Sequence, residues 1–157
     1  MAILDRLLGH DTWTTRQLLL ECQTLPDALL DQEFEIDHKS LRETFTHMIE
    51  NMEVWTDLLY AREGQDRTGS KVPELLARLS SVSRDFAQLA RTIARENRYD
   101  DCFVDTLDNP PAKKTYGGAI GHVTVSYTHL DVYKRQAQGL PGQPVRTAAL
   151  RTRLPGC

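Results

Sequence analysis

SLRETFTHMIENMEVWTDLLY, residues 40–60, carries a helix-start signal, an apolar stripe and one unusually placed histidine. Ser40 followed three residues later by Glu43 has the form of a capping box, in which the two side chains satisfy amides that a helix start leaves unpaired. Leu41, Phe45, Met48, Met52, Trp55 and Leu59 then recur at steps of four and three, the spacing of a bundle helix facing a core. His47 lies one step off this stripe, on the row of Thr44, Asn51, Val54 and Leu58, so its ring is expected to point toward a neighbouring helix at the core edge. A lone histidine there is more often a hydrogen-bonded boundary residue than a metal ligand, so spacing by itself leaves both roles open.

Working outward toward the N-terminus, Ala2 to Thr24 places Ile3, Leu4, Leu7, Leu8, Leu18, Leu19 and Cys22 at helical intervals and is stopped by Pro26. Within it, His10-Asp11-x-Trp13 sets a carboxylate beside an imidazole; Trp13 is expected to anchor the core, and Asp11 to be able to orient a ring or ligand at the bundle mouth. Leu25 to Lys39 reads as a connection with a short turn of helix. Toward the C-terminus, Gly64, Gly69 and Ser70 among charges signal a loop that closes the helix of residues 40–60. Pro73 sits in the first turn of a third helix, whose stripe is Val72, Leu75, Leu76, Leu79, Val82, Phe86, Leu89, Ile93 and Ala94. Asn97 to Thr115 is a crossover in which Cys102-Phe103-Val104 is short enough for an extended piece and Asp108-Asn109-Pro110-Pro111 excludes helix. Thr115 then caps a fourth helix through Tyr116-Gly117-Gly118-Ala119-Ile120-Gly121-His122-Val123, whose small residues allow close approach. The expected fold class is all-α, a four-helix bundle of the kind that builds metal sites from facing helices.

The length, 157 residues, suits one domain with a real core, and 40% hydrophobic with 26% charged residues matches a soluble globular protein. No apolar run approaches membrane-spanning length, and charges interrupt the N-terminus where a signal peptide is apolar, so a cytoplasmic protein without a membrane partner is expected. Cys22, Cys102 and Cys157 form no close-spaced pair, and reduced thiols are the simpler expectation. Residues 1–131 hold 14 Lys and Arg against 22 Asp and Glu, a balance of −8, whereas residues 132–157 hold five basic residues and no acid. Those five charges lie among Gly, Pro, Ala and Leu without aromatic interleaving, so no nucleic-acid partner is expected.

Taken together, His10-Asp11-x-Trp13, Leu18-Leu19-x-x-Cys22-x-x-Leu25, Ser40-Leu41-Arg42-Glu43-Thr44-x-x-His47, Trp55-Thr56-Asp57-Leu58 and Thr115-Tyr116-Gly117-Gly118-Ala119-Ile120-x-His122-Val123 resemble the DinB family, within the broader DinB/YfiT-like group of metalloenzymes. The resemblance covers about residues 1–123. It implies a four-helix bundle holding a divalent metal, zinc or nickel, on three histidines, and His47 matches the ligand from the second helix. The family's other two ligands lie on the fourth helix in a segment resembling HVxxHxxHHRxQ, where histidines four apart share a face and leave coordination positions open for water or substrate. The implied activity is that of a hydrolase or a thiol-dependent transferase or isomerase acting on an unknown small-molecule substrate.

The chain departs from that pattern where the ligands are due. Aligned on His122-Val123, the two positions fall on Ser126 and Leu130. His122 and His129 are seven residues apart, about 10 Å in helical rise, so a substitute site joining either to His47 is a poor one. Residues 125–136, VSYTHLDVYKRQ, resemble adapter or linker DNA translated as protein, and the Arg, Pro, Gly and Ala of the following segment lack apolar periodicity. The expected organisation is therefore a helical-bundle domain over residues 1–136, native-like to about residue 123, and a non-native disordered tail over residues 137–157. The competing account is a genuine lineage-specific extension. For function the alternatives are a DinB-like enzyme with an incomplete metal site, and a metal-free helical bundle that binds a partner or forms a homodimer.

Overall fold

The computed structural model describes residues 3–35 and 39–125. Its elements, in order, are α1 (Ile3–Cys22), α2 (Asp27–Leu30), α3 (Leu41–Leu59), α4 (Val72–Arg95), β1 (Cys102–Asp105), β2 (Ala112–Thr115) and α5 (Tyr116–Val125). The protein is mostly helical, and one two-stranded antiparallel sheet departs from the all-α expectation. No helix among the described residues is long and apolar enough to cross a membrane.

Helix ends follow from identifiable local chemistry. Ser40 Oγ accepts the Glu43 amide at 3.2 Å, the serine half of the expected capping box. At the start of α4, Glu74 accepts the Lys71 amide at 3.0 Å, and Pro73 occupies a first-turn position that needs no amide. The helix of residues 40–60 ends before the glycines expected to close it. Ala61 adopts φ 51°, with Ala61 N–H donating to Leu58 and Arg62 N–H to Asp57, the paired bonds of a left-handed C-terminal stop. Asn97, φ 54°, ends α4 in the same manner through Ala94 and Ile93. Thr115 caps α5 by accepting the Gly118 amide at 3.1 Å.

Contacts between helices fix their directions. Arg42 reaches the Ser70 carbonyl just before α4, Glu53 meets Arg78, and Tyr60 donates to the Asp85 carbonyl, so numbers rise together and α3 and α4 are parallel. Asp5 pairs with Arg91 while Arg16 lies near Leu76 and Ser80, so α1 is antiparallel to α4. α5 starts where Gly117 N–H donates to Tyr99 and Tyr116 N–H to Asp101, just after α4 ends, and packs back along α3 and α1. A Cβ at position 117 would stand 3.0 Å from the Tyr99 carbonyl, which accounts for glycine there. Parallel neighbours need a long return: α3, at 19 residues, is about 28 Å long, and residues 60–71 in extended form reach about 40 Å.

The core lies between α1, α3, α4 and α5, with Leu19, Ile49, Leu75, Leu79, Phe86, Ile93 and Val123 almost fully enclosed. The α4 stripe is buried nearly as its spacing predicts. The extended piece at Cys102-Phe103-Val104 is β1, paired with β2 in the register Cys102 to Thr115 and Asp105 to Ala112. Strand β2 carries no alternating apolar pattern. It is held instead by Lys114, which pairs with buried Asp105 and lies 5.2 Å from the Trp55 ring centre. Cys22 is a buried free thiol.

Candidate functional site

His47 is placed by a well-capped helix, but not as the stripe suggested. The buried face of α3 runs through Thr44, Phe45, Ile49, Met52, Glu53, Thr56 and Asp57, while Leu41, Met48 and Trp55 are half-buried. The helix is turned toward α4, and His47 consequently shares the outward face with Glu43, Glu50 and Val54. The expectation that its ring points into the core edge is corrected by this rotation. Its physical cause is the burial of Glu53 and Asp57 against arginines of α4 and the return segment.

His47 lines an open polar groove of about 440 Å³ with Lys39, Arg42, Glu43, Thr46, Glu50 and Ser70. Arg42 is committed to structure there, binding Asp31 at 2.5 Å, Asp27 at 2.6 Å and the Ser70 carbonyl at 3.1 Å. Thr46 Oγ1 is enclosed and has no hydrogen-bond partner among the described residues.

His122 stands elsewhere. It is exposed on α5, its ring 5.3 Å from that of Trp55 and tilted by 53°. Trp55 is eight residues beyond His47, about 12 Å along the α3 axis, so the two imidazoles do not converge on one ion. Among the described residues no group of three or more His, Cys, Asp or Glu is placed to hold a metal ion. Among the described residues, the donors that line the groove with His47 are two carboxylates and two hydroxyls with no second imidazole, which does not fit a three-nitrogen centre. Ser126, His129, Leu130, the VSYTHLDVYKRQ segment beyond residue 125 and the residue 137–157 tail lie outside the described residues.

Asp11 occupies the core-facing side of α1 with Leu4, Leu8, Thr15 and Leu18. Burial pushes its carboxyl up to about 7, and no hydrogen bond to it is formed by the described residues. Trp13, expected as a core anchor, is instead 61% exposed, because the buried stripe of α1 passes through Leu8, Thr15, Leu19 and Cys22. His10 is also exposed.

Sequence reasoning missed the buried charges of α3. Glu53 and Asp57 are each 3% exposed. Arg78 donates to both Glu53 oxygens at 3.1 and 2.7 Å and to the Gly69 carbonyl at 2.7 Å. Arg67 grips both Asp57 oxygens at 2.6 and 2.9 Å, and Arg62 adds a contact at 2.5 Å. Burial would raise the Asp57 carboxyl, but hydrogen bonds from Arg67, Arg62 and the Gln65 amide outweigh it and hold the value at about 2. These pairs pin residues 60–71 along α3 and α4 and occupy the oxygens of Glu53 and Asp57. The one available signal was acids four apart, Glu53 and Asp57, on the same helix that a run of arginines follows.

No protein-family model and no curated protein sequence matches this chain.

Proposed function

We propose that the chain is an incomplete DinB-like four-helix bundle, derived from a metal-dependent hydrolase or thiol-dependent transferase in which His47 is the first of three imidazole ligands to zinc or nickel. The observation that supports this reading is the direction of α5. It runs against α3 with His122 level with Trp55, so a helix continued from His122 would bring its next two turns level with Asn51 and then His47. In the resembled family the paired histidines stand four and eight residues after that position. This chain has Ser126 and Leu130 there. The reading therefore assigns the catalytic function to the parent and an inactive scaffold to this sequence, and no reaction step is derived through a metal.

A second reading, a metal-free bundle that binds a partner or dimerises, draws support from the groove at His47, which is open and polar. Metal content separates the two. The chain as written is expected to purify without stoichiometric zinc or nickel, whereas S126H/L130H is expected to take up one ion per chain and lose it on His47→Ala. Absence of metal from a folded S126H/L130H protein would favour the second reading, to be followed by its oligomeric state in solution.

A further inference from the structure

α1 and α4 leave a groove of about 420 Å³ between them, on the opposite side of α1 from the flank that carries Leu18. Its floor is apolar, from Leu8, Leu76, Leu79 and Ala87, and its width comes from small side chains, since Gly9 faces the level of Ala87 and a Cβ at Gly9 would meet nothing within 4 Å. One end is closed by the Asp5–Arg91 pair at 2.7 Å. Trp13 stands on the wall, 61% exposed, across from Arg84, with Arg16 one turn further along α1.

The charges in this groove are unusual for this protein. Residues 1–131 carry 14 basic against 22 acidic residues, and Arg42, Arg62, Arg67, Arg78, Arg91, Arg95 and Arg98 are all engaged in ion pairs. Among the described residues only Arg6, Arg16 and Arg84 are arginines without an ion pair, and two of those three flank the groove. With Asp5 counted against Arg16, Arg84 and Arg91, the groove holds a surplus of positive charge on an acidic protein. An exposed indole beside two uncommitted guanidinium groups offers a flat apolar surface and a fork of donors for an anionic head.

We propose that the α1/α4 groove binds a small organic anion, a carboxylate or phosphate carried on an aromatic or short alkyl body. The body lies over Leu8, Leu76 and Ala87 against Trp13, and the head lies between Arg16 and Arg84. The site is independent of the metal reading and lies apart from His47.

The test uses the full chain, with 4-phenylbutyrate and phenyl phosphate as anionic probes and 4-phenylbutanol as the neutral one, read by the two indole N–H resonances in a ¹⁵N-labelled sample. Both anions, or one of them, should move the Trp13 signal saturably at millimolar concentration and leave that of Trp55 in place; which anion binds tighter distinguishes carboxylate from phosphate. The alcohol should bind about tenfold more weakly or not at all, and so should the R16Q/R84Q protein, in keeping with loss of charge-assisted bonds. Gly9→Leu, whose Cβ would meet nothing within 4 Å and whose side chain adds bulk at the groove, should abolish the shift in a protein whose spectrum remains dispersed. The proposal is overturned if neither anion moves Trp13, if the alcohol binds as tightly, or if R16Q/R84Q binds as the unaltered chain does.

Discussion

Arg78 and Glu53 form a forked pair, with contacts of 3.1 and 2.7 Å, inside a protein face where Glu53 is 3% exposed. The third guanidinium nitrogen ties the same arginine to the Gly69 carbonyl, so one side chain joins α3, α4 and the segment that returns between them. Breaking a buried pair on one side leaves the other charge desolvated and unmatched. Arg78→Met and Glu53→Leu are therefore each expected to destabilise the fold by about 3 kcal/mol or more, and the double change E53L/R78M by less than either single one. Urea unfolding of the three variants checks this, and a loss in the double variant equal to the sum of the two single losses would show that the pair is not coupled.

Asp57 makes the protein sensitive to acid. Its folded value of about 2 lies below the ordinary 3.8, so the folded state releases the proton more readily. The stability that follows is fully present above the unfolded value and is lost as pH falls from about 4 through about 2. The loss is on the order of 2 kcal/mol. Melting temperatures across that window should fall for the unaltered chain and fall less for Asp57→Asn, which starts from a lower value.

Asp11 acts in the opposite sense. Its folded value is raised from 3.8 to about 7 by burial, so its share of stability is complete below 3.8 and is lost as pH rises through about 7. Asp11→Asn should raise the melting temperature at about pH 8 and flatten the profile between about pH 4 and 7. An unchanged slope would mean that Asp11 is solvated.

Ala61 holds a left-handed conformation, φ 51°, at the end of α3. A side chain pays a steric penalty there that glycine does not. Ala61→Gly should therefore stabilise the chain by about 0.5 to 1 kcal/mol, despite the greater freedom glycine gives the unfolded state. Chemical unfolding measures it, and a destabilised variant would contradict the assignment of this stop.

The chain as written is expected to melt at low temperature or without cooperativity. Among the described residues α5 contributes Ala119, Ile120 and Val123 to the core, with Tyr116 packed against it, and each buried apolar side chain lost is worth about 1.5 to 3 kcal/mol against a marginal total. A cooperative thermal transition typical of mesophile domains, followed by circular dichroism, would contradict this.

Local signals were legible in the chain because they act between near neighbours. Ser40 and Glu43 mark the start of α3, Pro73 the first turn of α4, Thr115 the cap of α5, and the three-and-four spacing from Val72 to Ile93 the buried side of α4. The extended piece at Cys102 was legible too, but its partner strand was not, since Ala112 to Thr115 is held by Lys114 on Asp105 rather than by any apolar alternation.

What the sequence by itself determined is the long helices, the starts of α3, α4 and α5 and the broken histidine pattern after Val123, all of which depend on residues within a few turns of one another. The tertiary structure alone decided how each helix is rotated and what its charges meet. α3 turns Glu53 and Asp57 inward because arginines from residues 62–78 neutralise them, and that rotation carries His47 outward. Trp13 faces a groove instead of the core for the same reason: burial is a property of what a helix packs against, and periodicity fixes only which residues share a face.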